Sequence, residues 1–340
     1  MASHSITCSP RKLGILFLLW ATLILPASSE VLVKRPEAAD GGPTIVSVSI
    51  FLIDLDGVDN AEQTFTANLS LDMRWSDPRL AHGQDGAIVR PIGEVWNPRL
   101  QITNQQRLVK TFAETVSILP DGEVSFQQRV WGNFSQPLDL RAFPFDSQHF
   151  RLDLVSASYG PDELTLVSDP DLPSGIAEVL SLPDWQIDGF GVGANSFQPN
   201  ASVPPLAGFR FEVRASRRVG YYLLKVIFPL ILIVAMSWIV FWIDPEESGT
   251  QISVSVTSML TLIAYRFMAG GLLPTISYLT RLDTFILIST LLVFITLIAV
   301  IVTSALAKSG RLPLARRLDR IARIAVPAAF FAAIGLVFIA

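Results

Sequence analysis

Between Thr44 and Arg214 the chain alternates apolar and polar positions with a period of two. Phe65, Ala67, Leu69, Leu71, Met73 and Trp75 interleave with Thr66, Asn68, Ser70, Asp72 and Arg74. Phe209, Phe211 and Val213 interleave with Arg210, Glu212 and Arg214. Such alternation predicts antiparallel strands with one buried face. Turn signals divide the run at Asp56-Gly57, Asp77-Pro78, Pro120-Asp121-Gly122, Tyr159-Gly160-Pro161 and Pro183-Asp184. About ten short strands at this spacing predict an immunoglobulin-like β-sandwich. The roughly 185 residues involved are enough to bury a core.

After Arg218 the alternation stops. Val226 to Ile243, Gly249 to Tyr265, Thr284 to Ala307 and Ile324 to Ala340 carry no charge. With their flanks, each reaches the roughly 20 residues that span a bilayer. The pattern predicts four transmembrane helices, over about 220–243, 247–269, 281–306 and 316–340. These form a domain of 219–340, preceded by a β domain of 30–218.

The first residues have a different character. Arg11 and Lys12 precede the short apolar run Leu13 to Leu25 and the small residues of Pro26-Ala27-Ser28-Ser29. This predicts a cleaved secretory signal over 1–29. Lys308, Arg311, Arg316, Arg317, Arg320 and Arg323 cluster between the third and fourth spans, which marks that link as cytoplasmic. Both arguments put the β domain and the C-terminus on the extracellular or periplasmic side of a cell (inner) membrane.

Composition narrows the chemistry. Half the residues are hydrophobic and 16% are charged, against the quarter usual in soluble domains. A net charge of −4 gives no general basic surface for nucleic acid. The one cysteine, Cys8, and His4 fall in the predicted leader, leaving His82 and His149. No metal site or cofactor is expected from so few ligands. No nucleophile elbow, metal motif or phosphate loop points to an enzyme.

The second span differs from the others. Gly249, Ser253, Thr257, Leu260, Ala264 and Phe267 share one helical face, hydroxylated at the inner end and apolar at the outer. Two readings fit that face: packing against other helices, and lining a water-filled path. Glu246 and Glu247 at the inner end favour the second, because in a ring they form a negative collar selecting cations. A solvated first turn behind Pro245 is the plain alternative.

Several motifs now fall in order. Trp75-Ser76-Asp77 precedes Arg79-Leu80; Trp96-Asn97-Pro98 follows; then Phe143-Pro144-Phe145-Asp146 with Gln148; then Arg217, Leu260 and Leu273-Pro274. Together, from about Val46 to Ile339, the chain resembles the prokaryotic pentameric ligand-gated ion channels, relatives of the Cys-loop receptors. The loop cysteines of the animal receptors are replaced by Gln136 and Phe150. The resemblance implies a homopentamer in a lipid bilayer, its pore lined by the second span of each subunit. It implies an agonist site between neighbouring β-sandwiches, formed by Thr103, Asn104, Ala157, Ser158, Tyr159 and Phe197 against Ser70 and Arg107. Thr103, Ala157 and Ser70 stand where aromatic rings are frequent in the family, so an aromatic cage for an amine is incomplete. It also implies coupling at the domain junction through Pro144, Asp146, Arg217 and Pro274. Glu62 or Asp59 can join the Asp146–Arg217 pair, and nothing in the sequence chooses between them. His149 is either a structural residue or a pH-responsive one.

The expected function is thus a cation-selective channel opened by a small-molecule or proton agonist. The alternative is a membrane-anchored binding or sensor protein without a pore. An anchor needs only one span and no hydroxyl stripe.

Overall fold

The computed structural model describes residues 34–36, 41–270 and 276–338. The expected leader 1–29 with Cys8, and Leu273-Pro274 beyond the second span, lie outside the described residues. Twelve strands are present among the described residues: β1 (Thr44–Asp59), β2 (Thr64–Ser76), β3 (Ile88–Pro91), β4 (Leu100–Ile102), β5 (Gln105–Lys110), β6 (Thr115–Ile118), β7 (Glu123–Ser135), β8 (Ser147–Ser156), β9 (Leu164–Ser168), β10 (Gly175–Ile176), β11 (Trp185–Phe197) and β12 (Leu206–Arg217). One sheet runs β10-β1-β2-β7-β6-β3, with β9 on β1 and β5 on β7; the other runs β11-β12-β8-β4.

The two sheets form a sandwich because each strand buries alternate residues. Along β2, Phe65, Ala67, Leu69, Leu71, Met73 and Trp75 are buried while the residues between them are half-exposed. Phe209, Phe211 and Val213 bury the matching face of β12. At one edge the Pro120-Asp121-Gly122 turn closes on the 3₁₀ turn that Asp77 caps through Arg79 N. Asp77 N donates to Gly122 O, and a Cβ on Gly122 would stand 2.6 Å from Asp77 O. Only glycine fits there, since its φ is also +87°.

The loop between β7 and β8 is closed without a disulfide. The Gln136 amide donates to His149 O at 2.5 Å and accepts from Arg151 N at 2.8 Å, so it clasps the backbone on both sides of Phe150. Phe150 itself is buried against Phe65 and Trp185.

Four helices long and apolar enough to cross a membrane follow: α1 (Gly220–Trp242), α2 (Ser248–Gly270), α3 (Arg281–Lys308) and α4 (Leu312–Phe338). Pro229 lies just after a π-helical turn over Leu223–Ile227 in α1. The missing proline N–H accounts for such a bulge. The Tyr265 hydroxyl of α2 donates to Val226 O within that turn. Gly310, at φ +79°, ends α3 in a left-handed cap. Pro313 is tolerated near the start of α4. Arg316, Arg317, Arg320 and Arg323 are therefore helical rather than in a loop.

Replacing Gln136 with Leu removes two hydrogen bonds and should cost about 1–3 kcal/mol. The thermal unfolding midpoint of the detergent-purified protein should fall. An unchanged midpoint would show that the packing of Phe150 alone closes the loop.

Candidate functional site

At the base of the sandwich, Arg217 ends β12 and Asp146 precedes β8, and both are buried. The Arg217 guanidinium donates to Asp146 Oδ1 at 2.7 Å and to Oδ2 at 3.0 Å. Gln148 Nε2 donates to the same Oδ2 at 2.8 Å. The guanidinium carbon lies 4.2 Å from the Trp185 ring centre and 4.9 Å from that of Phe143. A buried ion pair holds only when its remaining hydrogen-bonding groups are also satisfied. Here another guanidinium N–H goes to Asn60 Oδ1 at 3.1 Å, in the β1–β2 turn. Neither of the acidic residues considered for that role joins the pair. Asp59 Oδ1 is taken by the backbone N–H groups of Ala61 and Glu62, which forms the turn that presents Asn60.

The same loop touches the helices. The first N–H groups of a helix have no partner within it. In α3 those of Arg281 and Leu282 donate to Arg141 O at 3.0 Å and Phe143 O at 3.3 Å. Thr280 and Asp283 complete the cap reciprocally. Tyr278 accepts from Leu140 N and donates to Leu138 O. Phe143 meets Tyr222 of α1, and Phe145 meets Phe338 of α4. Pro144, after a cis bond, is buried between these two rings in sequence. One loop thus joins the β12 arginine to three helices. Pro274 lies outside the described residues.

Along α2, Gly249, Ser253, Thr257, Leu260, Ala264 and Phe267 are all exposed, Leu260 at 61% and Phe267 at 82%. The buried side is Gln251, Ser255, Ser258, Leu262, Tyr265 and Ala269. The hydroxyls used for packing are therefore Ser255 and Ser258. Thr257 returns its hydroxyl to Ser253 O at 2.8 Å, which leaves a methyl and an oxygen lone pair outward. At the inner end Glu246 and Glu247 are exposed, but the Glu246 carboxylate lies 3.5 Å from Arg316, which also pairs with Asp244 at 2.9 Å. The two glutamates are thus not equivalent: the charge of Glu246 is offset by α4.

In the β domain, Ala157, Ser158 and Tyr159 follow β8, beside the Trp96-Asn97-Pro98 segment. Ser156 Oγ donates to Pro98 O, and Ala157 N donates to Arg99 O. Tyr159 is half-buried, its hydroxyl accepting from Trp96 Nε1 at 2.9 Å, and Trp96 in turn meets Trp75 edge-on. Tyr159 O holds Ala207 N near the tip of the β11–β12 hairpin, one register step from the exposed Phe197. Thr103 is exposed, and donates to Asp153 O through its N–H and its hydroxyl. The Asn104 amide nitrogen donates to Ser135 O and Arg151 O, bracing β7 against β8, while its Oδ1 has no hydrogen-bonding protein partner among the described residues. On the larger sheet, Arg107 of β5 is exposed and Ser70 of β2 donates to Asp72. Asp72 lines a cavity of about 470 Å³ with Arg74, Glu123, Ser125 and Gln127. Burial pushes its carboxyl above the ordinary range. The period-two pattern had marked Asp72 as an outward residue, and its proximity to Ser70 was the available signal. His149 pairs with Glu212 at 2.8 Å, beside Arg151; these hydrogen bonds hold the Glu212 carboxyl below its ordinary range.

Residues 32–192 match the neurotransmitter-gated ion-channel ligand binding domain, and residues 226–313 match the transmembrane region of the same family. The chain is 26% identical over 312 residues to a proton-gated ion channel of Gloeobacter violaceus, covering 91% of this chain and 86% of that one. It is 28% identical over 272 residues to the glycine receptor subunit beta of rat and of mouse, covering 76% of this chain and 54% of theirs. The chain belongs to the neurotransmitter-gated ion-channel family, the pentameric Cys-loop class of ligand-gated ion channels, which are not enzymes. It is a multi-pass membrane protein with an extracellular ligand-binding domain before four spans.

Arg217→Ala leaves Asp146 buried without its cation, which should cost about 3–5 kcal/mol. Asn60→Ala, removing one hydrogen bond, should cost about 1 kcal/mol. Thermal unfolding and gel filtration of the purified variants would measure both. Equal effects would show that the pair does not dominate the junction.

Proposed function

We propose that the protein is a homopentameric, cation-selective channel whose pore is lined by Gly249, Ser253, Thr257, Leu260, Ala264 and Phe267. The observation that carries this reading is the split of α2: these six residues are exposed in the subunit, while the other face packs inward. Five copies of the exposed face enclose a path that is polar at the inner end and apolar at the outer. Apolar collars at Leu260 and Phe267 dewet and bar ions when narrow. The proposed seat is the inner membrane, with the sandwich in the periplasm or outside the cell.

The stimulus acts where sandwiches meet, on Thr103, Asn104, Ala157, Ser158, Tyr159 and Phe197 of one subunit and Ser70 and Arg107 of the next. Movement of the β11–β12 hairpin passes along β12 to Arg217, then through Asp146 and Pro144 to the start of α3, and through Pro274 to α2. Protons are the first stimulus to try, because the similar Gloeobacter violaceus protein is named as proton-gated. The His149–Glu212–Arg151 cluster ties β8 to β12 next to the coupling loop.

Cysteine substitution along α2 tests the pore, since the natural chain has one cysteine, Cys8. In channels opened by acid steps or small amino acids, permeant thiol reagents should block at Ser253, Thr257 and Leu260. Closed channels should protect Ser253 from reagent applied outside. Block at Val254, Ser258 and Leu262 instead would refute the register, and block at none would favour an anchor without a pore.

Selectivity rests mainly on Glu247, since Arg316 offsets Glu246. Glu247→Gln should shift the reversal potential in a salt gradient toward the anion value, and Glu246→Gln should shift it less. The reverse order would return the collar to Glu246.

A further inference from the structure

Gln251 and Asp319 are fully buried polar side chains at the inner end of the helix bundle, 68 residues apart in the chain. Gln251 Nε2 donates to Asp319 Oδ2 at 3.1 Å and to Ile243 O at 2.8 Å. The contact crosses from α4 to α2 and takes in the link from α1. It has company on the same face of α4. Arg316, three residues before Asp319, pairs with Asp244; Arg323, four residues after, donates to Phe241 O at 2.8 Å and lies over the Trp242 ring. Steps of three and four keep the three side chains on one helical face. All three therefore hold the corner where α1 turns into α2.

The arrangement is costly for mere packing. The Asp319 carboxyl has the Gln251 amide and the Thr303 hydroxyl beside it and Arg323 one turn along but no direct ion pair, and an apolar pair of similar volume would serve cohesion better. Gln251 Oε1 and Asp319 Oδ1 are also buried without a hydrogen-bonding protein partner among the described residues. What such a pair supplies is position. Gln251 is two residues from Gly249 and two from Ser253, a rotation of roughly 200° in an α-helix. It therefore stands at the back of the turn whose front carries both.

We infer that Arg316, Asp319 and Arg323 form a clamp that draws the inner turn of α2 outward through Gln251 and sets the width of the pore ring at Gly249 and Ser253. The inference rests on the pore reading of α2. α4 is the helix with the fewest buried residues, only Ala315, Asp319, Phe330 and Val337 among those described. A helix that lines no pore thus fixes the width of one at its inner end. Asp319 is a positioning residue: it acts through Gln251 and touches no ion.

The test uses the full-length protein with Ser253→Cys, purified as the assembled oligomer and oxidised to join neighbouring subunits. Gln251→Leu and Asp319→Leu should each raise the cross-linking rate about five-fold, the factor that one lost hydrogen bond commands. The double variant should exceed neither single one, because both break the same contact. Asp319→Asn, which keeps an acceptor for Gln251, should retain the original rate. Arg316→Gln changes an exposed residue, assembles even if the Leu variants do not, and should raise the rate by a smaller factor. Leu260→Cys, two turns outward, should be insensitive to all of them. Unchanged Ser253→Cys rates in the assembled variants would overturn the clamp while leaving the pore intact. Cross-linking at Ser255→Cys in place of Ser253→Cys would overturn the pore register and the clamp with it.

Discussion

The buried pair between Asp146 and Arg217 is the constraint on which the two halves of the subunit depend. Either charge alone would be intolerable in that place. The pair is tolerated because the carboxylate also accepts from Gln148 and the guanidinium reaches Asn60 and two aromatic faces. The pair and its partners lie on five segments: the turn after β1, the loop after β7, β8, β11 and β12. Satisfying one ion pair therefore fixes five segments at the membrane-facing end of the sandwich. The loop so held spends its carbonyls on the first turn of α3. An extracellular loop thus does for this helix what a capping side chain alone does elsewhere, and neither part is complete without the other.

The transmembrane helices follow a different logic. α1 and α3 carry charge only toward their ends, at Lys225 and at Arg281, Asp283 and Lys308, and α4 mixes an arginine-rich start with an apolar body. α2 is the least apolar of the four spans. Its hydroxyls divide by depth of packing rather than by chemistry. Ser255 and Ser258 face sister helices, while Ser253 and Thr257 stay on the open face. The same residue types thus serve cohesion on one side and leave polarity available on the other.

Much of the fold was readable because its periods are simple. Alternation in β2 and β12 can arise only from strands with one wet face, and the charge gap after Arg218 can be met only by lipid or a very large core. The exposed face of α2 was readable as a stripe, although the stripe alone did not separate lining from packing. The Asp146–Arg217 pairing came from resemblance, since residues 71 apart carry no local signal of contact. The third partner was misjudged for a physical reason. Asp59 and Glu62 offered the attractive charge, but Asp59 was needed to shape the turn, which left the neutral Asn60 pointing at the guanidinium. Tyr278, Gln251 and Asp319 could not be singled out in advance. Their roles depend on which segments pack together, and a lone tyrosine, glutamine or aspartate has no periodicity to betray it.

The Gln136 clasp has a consequence for how the protein matures. A chain with a single cysteine cannot close any loop by an internal disulfide. Amide hydrogen bonds to His149 and Arg151 perform that closure with no electrons transferred. The loop that bridges sandwich and membrane therefore needs no oxidant to form and no isomerase to correct a wrong pairing. It is indifferent to the thiol poise of the compartment in which it folds. A covalent rivet has in effect been exchanged for a reversible catch, which opens and recloses on thermal energy and leaves the junction compliant under reducing and oxidising conditions alike.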